Sequence, residues 1–209
     1  MKKMAREATG QHRFRPSGEP DPVLVSVAAY SAHADAYEER YAPKMRNQVH
    51  RFARSLPVPA AILDAGCGPG RDLVRFRALG HVPRGVELNP DFAAKAAAHA
   101  PVSCADLRGV GSLFPAESFG GIWACSSLVH LTDLEVADVL CQFAQLLRPG
   151  GKLYACVNSV GRTGWLDEED GRRWYTVWKA DTFAQTVSDA GFCVKGVDPG
   201  AVVEIWASR

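Results

Sequence analysis

The 209-residue sequence has almost no net charge, because 24 Lys and Arg stand against 23 Asp and Glu and leave a formal charge of +1. A balanced chain gives no general signal for nucleic-acid binding. The chain lacks any apolar run near the ~20 residues that span a bilayer, and its basic start has no apolar stretch behind it. These absences predict a cytoplasmic protein without a nucleic-acid or membrane partner. They say nothing about its oligomeric state.

The cysteines are few and form no C-x-x-C pair, so they predict neither a metal site nor a compact disulfide framework. A reduced setting is then the default. The six are Cys67, Cys104, Cys125, Cys141, Cys156 and Cys193. Four of them, at positions 67, 104, 125 and 156, fall in or just after predicted strands. We expect those four to pack as small apolar side chains.

The length suits one domain of ordinary size. Residues 1–22 are rich in Pro, Gly and basic residues and hold almost no large apolar groups, so they predict a disordered arm before a single domain over 23–209. A helical cap is expected at about 23–56, since the tyrosines from Tyr30 to Tyr41 recur at helical spacing and a second helix follows. An irregular, aromatic-rich lid is expected at about 158–180.

Between the cap and the lid, short apolar runs alternate with helical patterns, which predicts a parallel sheet covered on both faces. The predicted strands are 60–64, 81–86, 101–104, 121–126 and 152–157, the last after a stop at 148–151. Two further strands, 192–197 and 202–206, are too close in sequence for a crossover helix and must form a hairpin. The fold class is therefore α/β: a Rossmann-like, doubly wound seven-stranded sheet, mostly parallel, with one antiparallel C-terminal hairpin strand.

A glycine-rich loop, DAGCGPG at 64–70, follows the first strand and opens a helix. Glycines let the backbone turn sharply and approach a ligand beside a helix N-terminus. The pattern is G-x-G-x-G, whereas a dinucleotide loop needs G-x-G-x-x-G, and Arg71 stands where the third glycine would be. A nicotinamide-dependent oxidoreductase is therefore disfavoured, as it is by the closing hairpin.

The loop resembles the first motif of the class I S-adenosylmethionine-dependent methyltransferases, of the small-molecule type. Further segments resemble this family in order: Glu87 ends the second strand, Asp106 follows the third, and 119–131 and 146–153 match its fourth strand and its L-R-P-G-G-x-L turn. The resemblance covers about residues 30–209. It implies S-adenosylmethionine as the cofactor and methyl transfer as the reaction.

The resemblance also implies roles around the cofactor. Glu87 would accept hydrogen bonds from the ribose hydroxyls, and Asp106, with the N–H of Leu107, would recognise adenine. Asp64 would orient the loop or the methionine amino group, and Arg71 would bind the methionine carboxylate. A solvated strand end, a helix cap and an exposed surface are the alternatives for Glu87, Asp106 and Arg71. The predicted cofactor set is Tyr37, Asp64, Gly66, Cys67, Gly68, Gly70, Arg71, Glu87, Leu88, Asp106, Leu107 and Cys125.

The segment from Tyr30 to Tyr37 reads Y-x-x-x-A-x-x-Y and resembles the N-terminal helix of the family, whose tyrosines face the methionine end of the cofactor. Packing of this helix on the sheet is the alternative for both tyrosines.

His130 follows the fourth strand, where the acceptor site of the family lies, and a neutral imidazole suits a general base. It could instead position the acceptor or cap the next helix. The strand exit lacks the N/D-P-P-Y/F stretch of enzymes that methylate DNA or protein amides. A small-molecule acceptor is therefore expected, with O- and N-methylation both open. Tyr30, Trp165, Arg173 and Trp174 are the candidate substrate contacts. A non-catalytic module that binds S-adenosylmethionine or S-adenosylhomocysteine is the alternative function.

Overall fold

A computed structural model describes residues 20–31, 39–169 and 171–209. The described strands are β1 Ala61–Ala65, β2 Val82–Glu87, β3 Val102–Cys104, β4 Phe119–Cys125, β5 Leu147–Asn158, β6 Gly164–Glu168, β7 Gly171–Tyr175, β8 Cys193–Asp198 and β9 Val202–Ser208. Seven of them form one sheet in the order β3-β2-β1-β4-β5-β9-β8, and β6 and β7 form a separate hairpin.

The strand directions confirm the predicted sheet. Strands β1 to β5 pair in parallel, whereas β9 lies antiparallel to both β5 and β8. Strands β1 and β4 are buried along nearly their whole length, as expected for central strands covered on both faces.

Helices cover the two faces of the sheet and divide the core. They are α1 Pro22–Ser31, α2 Arg46–Arg54, α3 Arg71–Ala78, α4 Pro90–Ala96, α5 Asp133–Leu146 and α6 Ala180–Asp189, with a 3-10 helix at Leu107–Ser112. Successive residues of a strand point to opposite faces, so Ile62 packs with Phe52 and Phe76 while Leu63 packs in the other cluster with Phe143 and Phe183. None of the helices in these described ranges is long and apolar enough to cross a membrane.

Local capping signals begin two of the helices at the predicted places. The Asn89 side chain accepts hydrogen bonds from the N–H groups of Asp91 and Phe92, and Pro90 is the first residue of α4. Thr132 and Glu135 form a reciprocal capping box at the start of α5. The second of these caps fixes where the chain re-enters a helix just after His130.

The first described helix begins at the predicted boundary between the arm and the domain, at about residue 22. Helix α1 starts at Pro22, where the Asp21 side chain accepts the N–H of Val23 and caps the helix. The disordered arm itself stays a prediction. Residues 1–19 lie outside the described part of the chain, and so does Tyr37.

The structure of the lid and of the fifth strand differs from the sequence prediction. The lid contains the antiparallel hairpin β6–β7, in which Trp165 lies opposite Trp174. Strand β5 already begins at Leu147, through the predicted stop, because the backbone at Gly150 and Gly151 exchanges hydrogen bonds with Arg209. The hairpin pairs neighbouring segments of the lid, whereas β5 is extended by pairing with Arg209, which is distant in sequence.

Candidate cofactor and acceptor site

A cavity of about 740 Å³, counting its space open to solvent, lies at the carboxyl ends of the first four strands. This is the edge where ligands bind in open α/β sheets, beside the point where the strand order reverses. The lining residues are Val23, Val27, Tyr30, Gly66, Gly68, Glu87, Leu88, Asn89, Phe92, Asp106, Leu107, Cys125, Ser126, Ser127, His130 and Leu131. Nine of these were predicted from the sequence as site residues.

The three glycines of the loop are needed for different physical reasons. All have positive φ, which favours glycine. A Cβ at Gly66 would lie 2.3 Å from Cβ of Ser127, and one at Gly70 would lie 3.0 Å from Cα of Ala96, so both positions allow close backbone packing. A Cβ at Gly68 would meet nothing within 4 Å. Since Gly68 lines the cavity, that open space is where a ligand can approach the loop.

Glu87 ties the end of β2 to the glycine loop. Its Oε2 accepts the N–H of Gly68 at 2.8 Å, and its Oε1 accepts the N–H of Asn89 at 2.8 Å. Burial raises the pKa of Glu87, while these backbone bonds pull it down. Each carboxylate oxygen keeps a further lone pair for a ligand hydroxyl.

Asp64 ends β1 as a buried carboxyl with an unsatisfied atom. It is 3% exposed, and its Oδ2 has no hydrogen-bond partner in the described structure. Burial raises the pKa of Asp64 well above its ordinary value, and the charge of nearby Asp72 raises it further. A ligand cation or N–H beside this oxygen would satisfy it. Cys67, in the glycine loop that follows Asp64, is also buried, and burial raises the pKa of its thiol.

Asp106 is both a cap and half of an ion pair. It caps the 3-10 helix by accepting the N–H of Arg108, and the Arg108 guanidinium pairs with it at 2.5 Å. Arg108 also reaches Asp21, which caps α1, and Glu135. Asp106 and Leu107 line the cavity, as predicted, so this ion-pair group joins the cavity wall to the start of α1.

Arg71 is not among the lining residues of the cavity in the described structure. Its guanidinium pairs with the buried carboxylate of Asp72 and donates to the carbonyl of Tyr41 and to Sγ of Cys125. Within the described residues it stands behind the cavity wall that Cys125 forms, because Asp72 is its neighbour on the first turn of α3. Binding of a ligand carboxylate by Arg71 stays a prediction.

His130 is held at both ring nitrogens. Nδ1 lies 2.6 Å from the carbonyl oxygen of Trp174, and Nε2 lies 2.9 Å from Oη of Tyr30. A carbonyl oxygen only accepts, so Nδ1 carries the proton, Nε2 is the acceptor and Tyr30 donates to it. Burial lowers the pKa of His130 to about 4, and the nearby charge of Arg173 contributes to that lowering. The ring is therefore neutral at pH 7.

The hairpin supports His130 from behind. The N–H of Trp174 donates to Oγ of Ser26 on α1, and Thr176, just after the hairpin, bonds the backbone of Val129 and Leu131 on either side of His130. These bonds fix the hairpin against both α1 and the exit of β4. The segment predicted as an irregular lid is thus a hydrogen-bonded support.

The predicted substrate contacts divide into two groups. Tyr30 lines the cavity, whereas the described lining does not include Trp165, Arg173 or Trp174. Arg173 is buried, pairs with Glu168 and lies 4.3 Å above the Tyr30 ring. The rings of Trp165 and Trp174 pack edge to face at 5.7 Å. These three form a layer behind the wall because the hairpin folds them toward α1 and toward each other.

Several wall residues were missed by sequence reasoning. Ser126 has φ +55, unusual for a side chain other than glycine, and Ser127 follows with a buried Oγ that has no partner in the described structure. Val23, Val27 and Phe92 give the cavity an apolar side. The sequence offers one local signal for these wall residues, the Asn89 helix cap. A cap two residues after Glu87 must lie at the carboxyl edge of the sheet. Cys104, predicted to pack, is exposed because it is the last residue of an edge strand.

Comparisons with known proteins agree with the geometry. A family model described as a methyltransferase domain matches residues 62–151. The 27-O-demethylrifamycin SV methyltransferase of Amycolatopsis mediterranei is 34% identical over 113 residues, which cover 49% of this chain and 41% of that protein. The chain therefore spans less than half the length of this relative.

Solved structures share the fold. The 1,6-didemethyltoxoflavin-N1-methyltransferase of Burkholderia thailandensis, with bound 1,6-didemethyltoxoflavin and S-adenosylhomocysteine, superposes with a TM-score of 0.72 at 23% identity and covers 93% of each chain. A SAM-dependent methyltransferase from Archaeoglobus fulgidus gives 0.69 at 14% identity, over 85% of this chain and 100% of that one.

The lowered pKa of His130 predicts how the stability of the fold depends on pH. Its folded-state pKa of about 4 lies below the ordinary 6.5, so the unfolded chain takes up the proton first as the pH falls. Its contribution to stability is present above pH 6.5 and is lost as the pH falls from 6.5 toward 4. We expect it to decrease by about 2 kcal/mol between pH 7 and pH 5.

Urea unfolding at both pH values checks this, with His130→Asn compared to the wild type so that groups titrating in both proteins cancel. His50→Asn, at an exposed position on α2, is the matched control. Equal pH dependence in wild type and His130→Asn would contradict a buried neutral ring.

Proposed function

The chain belongs to the class I S-adenosylmethionine-dependent methyltransferases, and from this we propose that it methylates an O–H or N–H group of a small organic molecule. The observation that carries the proposal is that one cavity holds both a nucleotide-binding edge, with Gly68 and Glu87, and the Tyr30–His130 pair. Its cofactor is S-adenosylmethionine.

The described residues fit this cofactor. The open space at Gly68 lets a ligand approach the backbone, and the free lone pairs of Glu87 suit a ribose diol. The unsatisfied Oδ2 of Asp64 suits an ammonium group. Asp106 and the N–H of Leu107 would bind adenine, and both residues line the cavity. These residues would hold the cofactor along the carboxyl edge of the sheet.

The acceptor side of the cavity is apolar and aromatic. Val23, Val27 and Tyr30 come from α1, Phe92 from α4, and Leu131 from the exit of β4. Such a surface favours a largely apolar acceptor. Two relatives are, by their names, methyltransferases of the small molecules 27-O-demethylrifamycin SV and 1,6-didemethyltoxoflavin.

When bound, S-adenosylmethionine supplies a methyl group on a positively charged sulfur. An O–H or N–H acceptor that takes up the methyl group takes up that positive charge, and its own proton becomes strongly acidic. The protein must then hold the acceptor in line and accept one proton. A neutral histidine with a pKa of about 4 is a weak base, but a weak base is enough for such an acidic proton.

Tyr30 and His130 are arranged to accept that proton in sequence. Nδ1 of His130 is engaged by the Trp174 carbonyl, and Nε2 already accepts from Tyr30 Oη. The acceptor would therefore donate to Tyr30 Oη while the phenol proton passes to Nε2. Tyr30 is the acceptor-facing member and His130 the base behind it. A non-catalytic binding module, the second candidate, would have no use for such a pair.

The cofactor loop is tested with two alanine variants. Gly68→Ala and Gly191→Ala both place a Cβ at positive φ in open space, so each should cost about 1 kcal/mol of stability. Only Gly68 lines the cavity. We expect Gly68→Ala alone to weaken S-adenosylhomocysteine binding, on the order of tenfold or more, in calorimetric titration. Equal affinity in the two variants would show that the loop does not contact the ligand.

Methyl transfer is tested with a panel of phenols and heteroaromatic N–H compounds and methyl-labelled S-adenosylmethionine, with product detected by mass spectrometry. We expect methylated product from members of the panel. Tyr30→Phe and His130→Asn should each slow transfer by about 10²–10⁴-fold while S-adenosylhomocysteine affinity stays unchanged.

The two variants separate the mechanisms. If His130 acted directly on the acceptor, Tyr30→Phe would free Nε2 and leave the rate equal or higher. A wild-type rate of methyl transfer in His130→Asn would show that His130 does not act as a base. Cofactor binding without any methylated product would favour the binding module.

A further inference from the structure

Two cysteines stand side by side at the carboxyl ends of β4 and β5. Cys125 and Cys156 are in register on these neighbouring parallel strands, and their Sγ atoms are 3.9 Å apart. Adjacent strands lie about 4.8 Å apart, which falls within the ~4.4–6.8 Å between Cα atoms that a disulfide bridges. Residues in register point to the same face. The pair can therefore form a bond with little movement of the strands.

The surroundings of the two sulfur atoms favour a thiolate at Cys156. The backbone N–H of Ser126 donates to Sγ of Cys156 at 3.2 Å, and the Ser126 hydroxyl lies 3.4 Å from the same sulfur. Contact with Cys125 and these donors lower the pKa of Cys156 to about 7, whereas contact with Cys156 and burial raise the pKa of Cys125. The Cys156 thiolate is therefore a proton acceptor beside the Cys125 thiol, and hydrogen-bond donors of this kind make protein thiols reactive.

Only one of the two sulfurs borders the cavity. Cys125 is part of its lining, whereas Cys156 is 1% exposed and lies behind it. A small oxidant can reach Cys125 through the space that the cofactor uses, and Cys156 is placed to react second.

We propose that Cys125 and Cys156 are a modification site at which hydrogen peroxide forms a disulfide and thereby weakens cofactor binding. The Cys125 sulfur attacks one peroxide oxygen while its proton passes to the adjacent Cys156 thiolate, the O–O bond breaks, and the released hydroxide takes up a proton from solvent as water. The Cys156 sulfur then attacks the resulting sulfenic acid and displaces a second water. In total two thiols are oxidised, losing two hydrogens, and one peroxide is reduced to two waters.

Disulfide formation would disturb the cavity wall. The sulfurs must approach from 3.9 Å to about 2.0 Å, and Cys156 loses the thiolate that accepts the N–H of Ser126. That hydrogen bond holds Ser126 at its unusual φ of +55, directly before Ser127 in the cavity wall. The effect on affinity depends on the cofactor assignment, whereas the disulfide itself does not.

The test uses the full chain carrying Cys141→Ser. Trypsin cleaves after Lys152 and so separates Cys125 from Cys156, but Cys141 shares a tryptic peptide with Cys125 because Arg148 precedes a proline. Replacing the exposed Cys141 makes the linkage unique. The protein is treated with hydrogen peroxide, quenched, alkylated and digested, and its affinity for S-adenosylhomocysteine is measured before oxidation, after oxidation and after re-reduction.

We expect the two peptides to be linked with a loss of two hydrogens, affinity to fall by about tenfold or more, and reduction to restore it. Saturating S-adenosylhomocysteine during oxidation should slow the linkage, because it covers Cys125. Cys141→Ser/Cys156→Ser should form no link and keep its affinity under peroxide.

Unlinked peptides after oxidation, or linked protein with unchanged affinity, would overturn the proposal. Linkage at the same rate with the cavity occupied would overturn the route through the cavity. If the reduced protein fails to bind S-adenosylhomocysteine, the cofactor assignment fails, and the peptide linkage still decides whether the site exists.

Discussion

The reversal of strand order between β1 and β4 is the constraint on which the site depends. Chain segments leaving these two strands turn away from each other and open a cleft at the carboxyl edge of the sheet. Gly66 lets the loop after β1 pass against Ser127 at the exit of β4, so the cleft is closed at its base. Glu87 on the next strand then accepts the N–H of Gly68. Strand pairing thus sets the positions of the ligand-binding groups.

A second layer determines the chemistry of His130. The Trp174 carbonyl assigns the proton to Nδ1, which makes Nε2 the acceptor and requires a donor such as Tyr30 opposite it. The hairpin that carries Trp174 is anchored to α1 by Ser26, on the same helix as Tyr30. Both partners of the imidazole are therefore positioned by one packed unit, formed by α1 and the hairpin. This link explains how a segment outside the main sheet positions residues of the candidate site.

Features marked by turn or capping residues could be predicted from the sequence, whereas features without such a local signal could not. The glycine loop, Glu87 at its strand end and the Asn89 cap each follow from neighbouring residues. The hairpin β6–β7 pairs two aromatic segments whose spacing shows no strand alternation, so it was missed. Arg71 was expected in the cavity, but its neighbour Asp72 is buried and holds the guanidinium. No sequence pattern reports that competition.

Burial moves the titrating groups of the cavity in opposite directions, toward their neutral forms. It raises the pKa of Asp64 and Glu87 and lowers the pKa of His130 to about 4. The charge of Asp72 adds to the shift at Asp64, and the charge of Arg173 adds to the shift at His130. These three groups at this edge of the sheet are therefore all moved toward their uncharged forms. Because the imidazole stays neutral at pH 7, its Nε2 keeps the lone pair that accepts the Tyr30 hydroxyl.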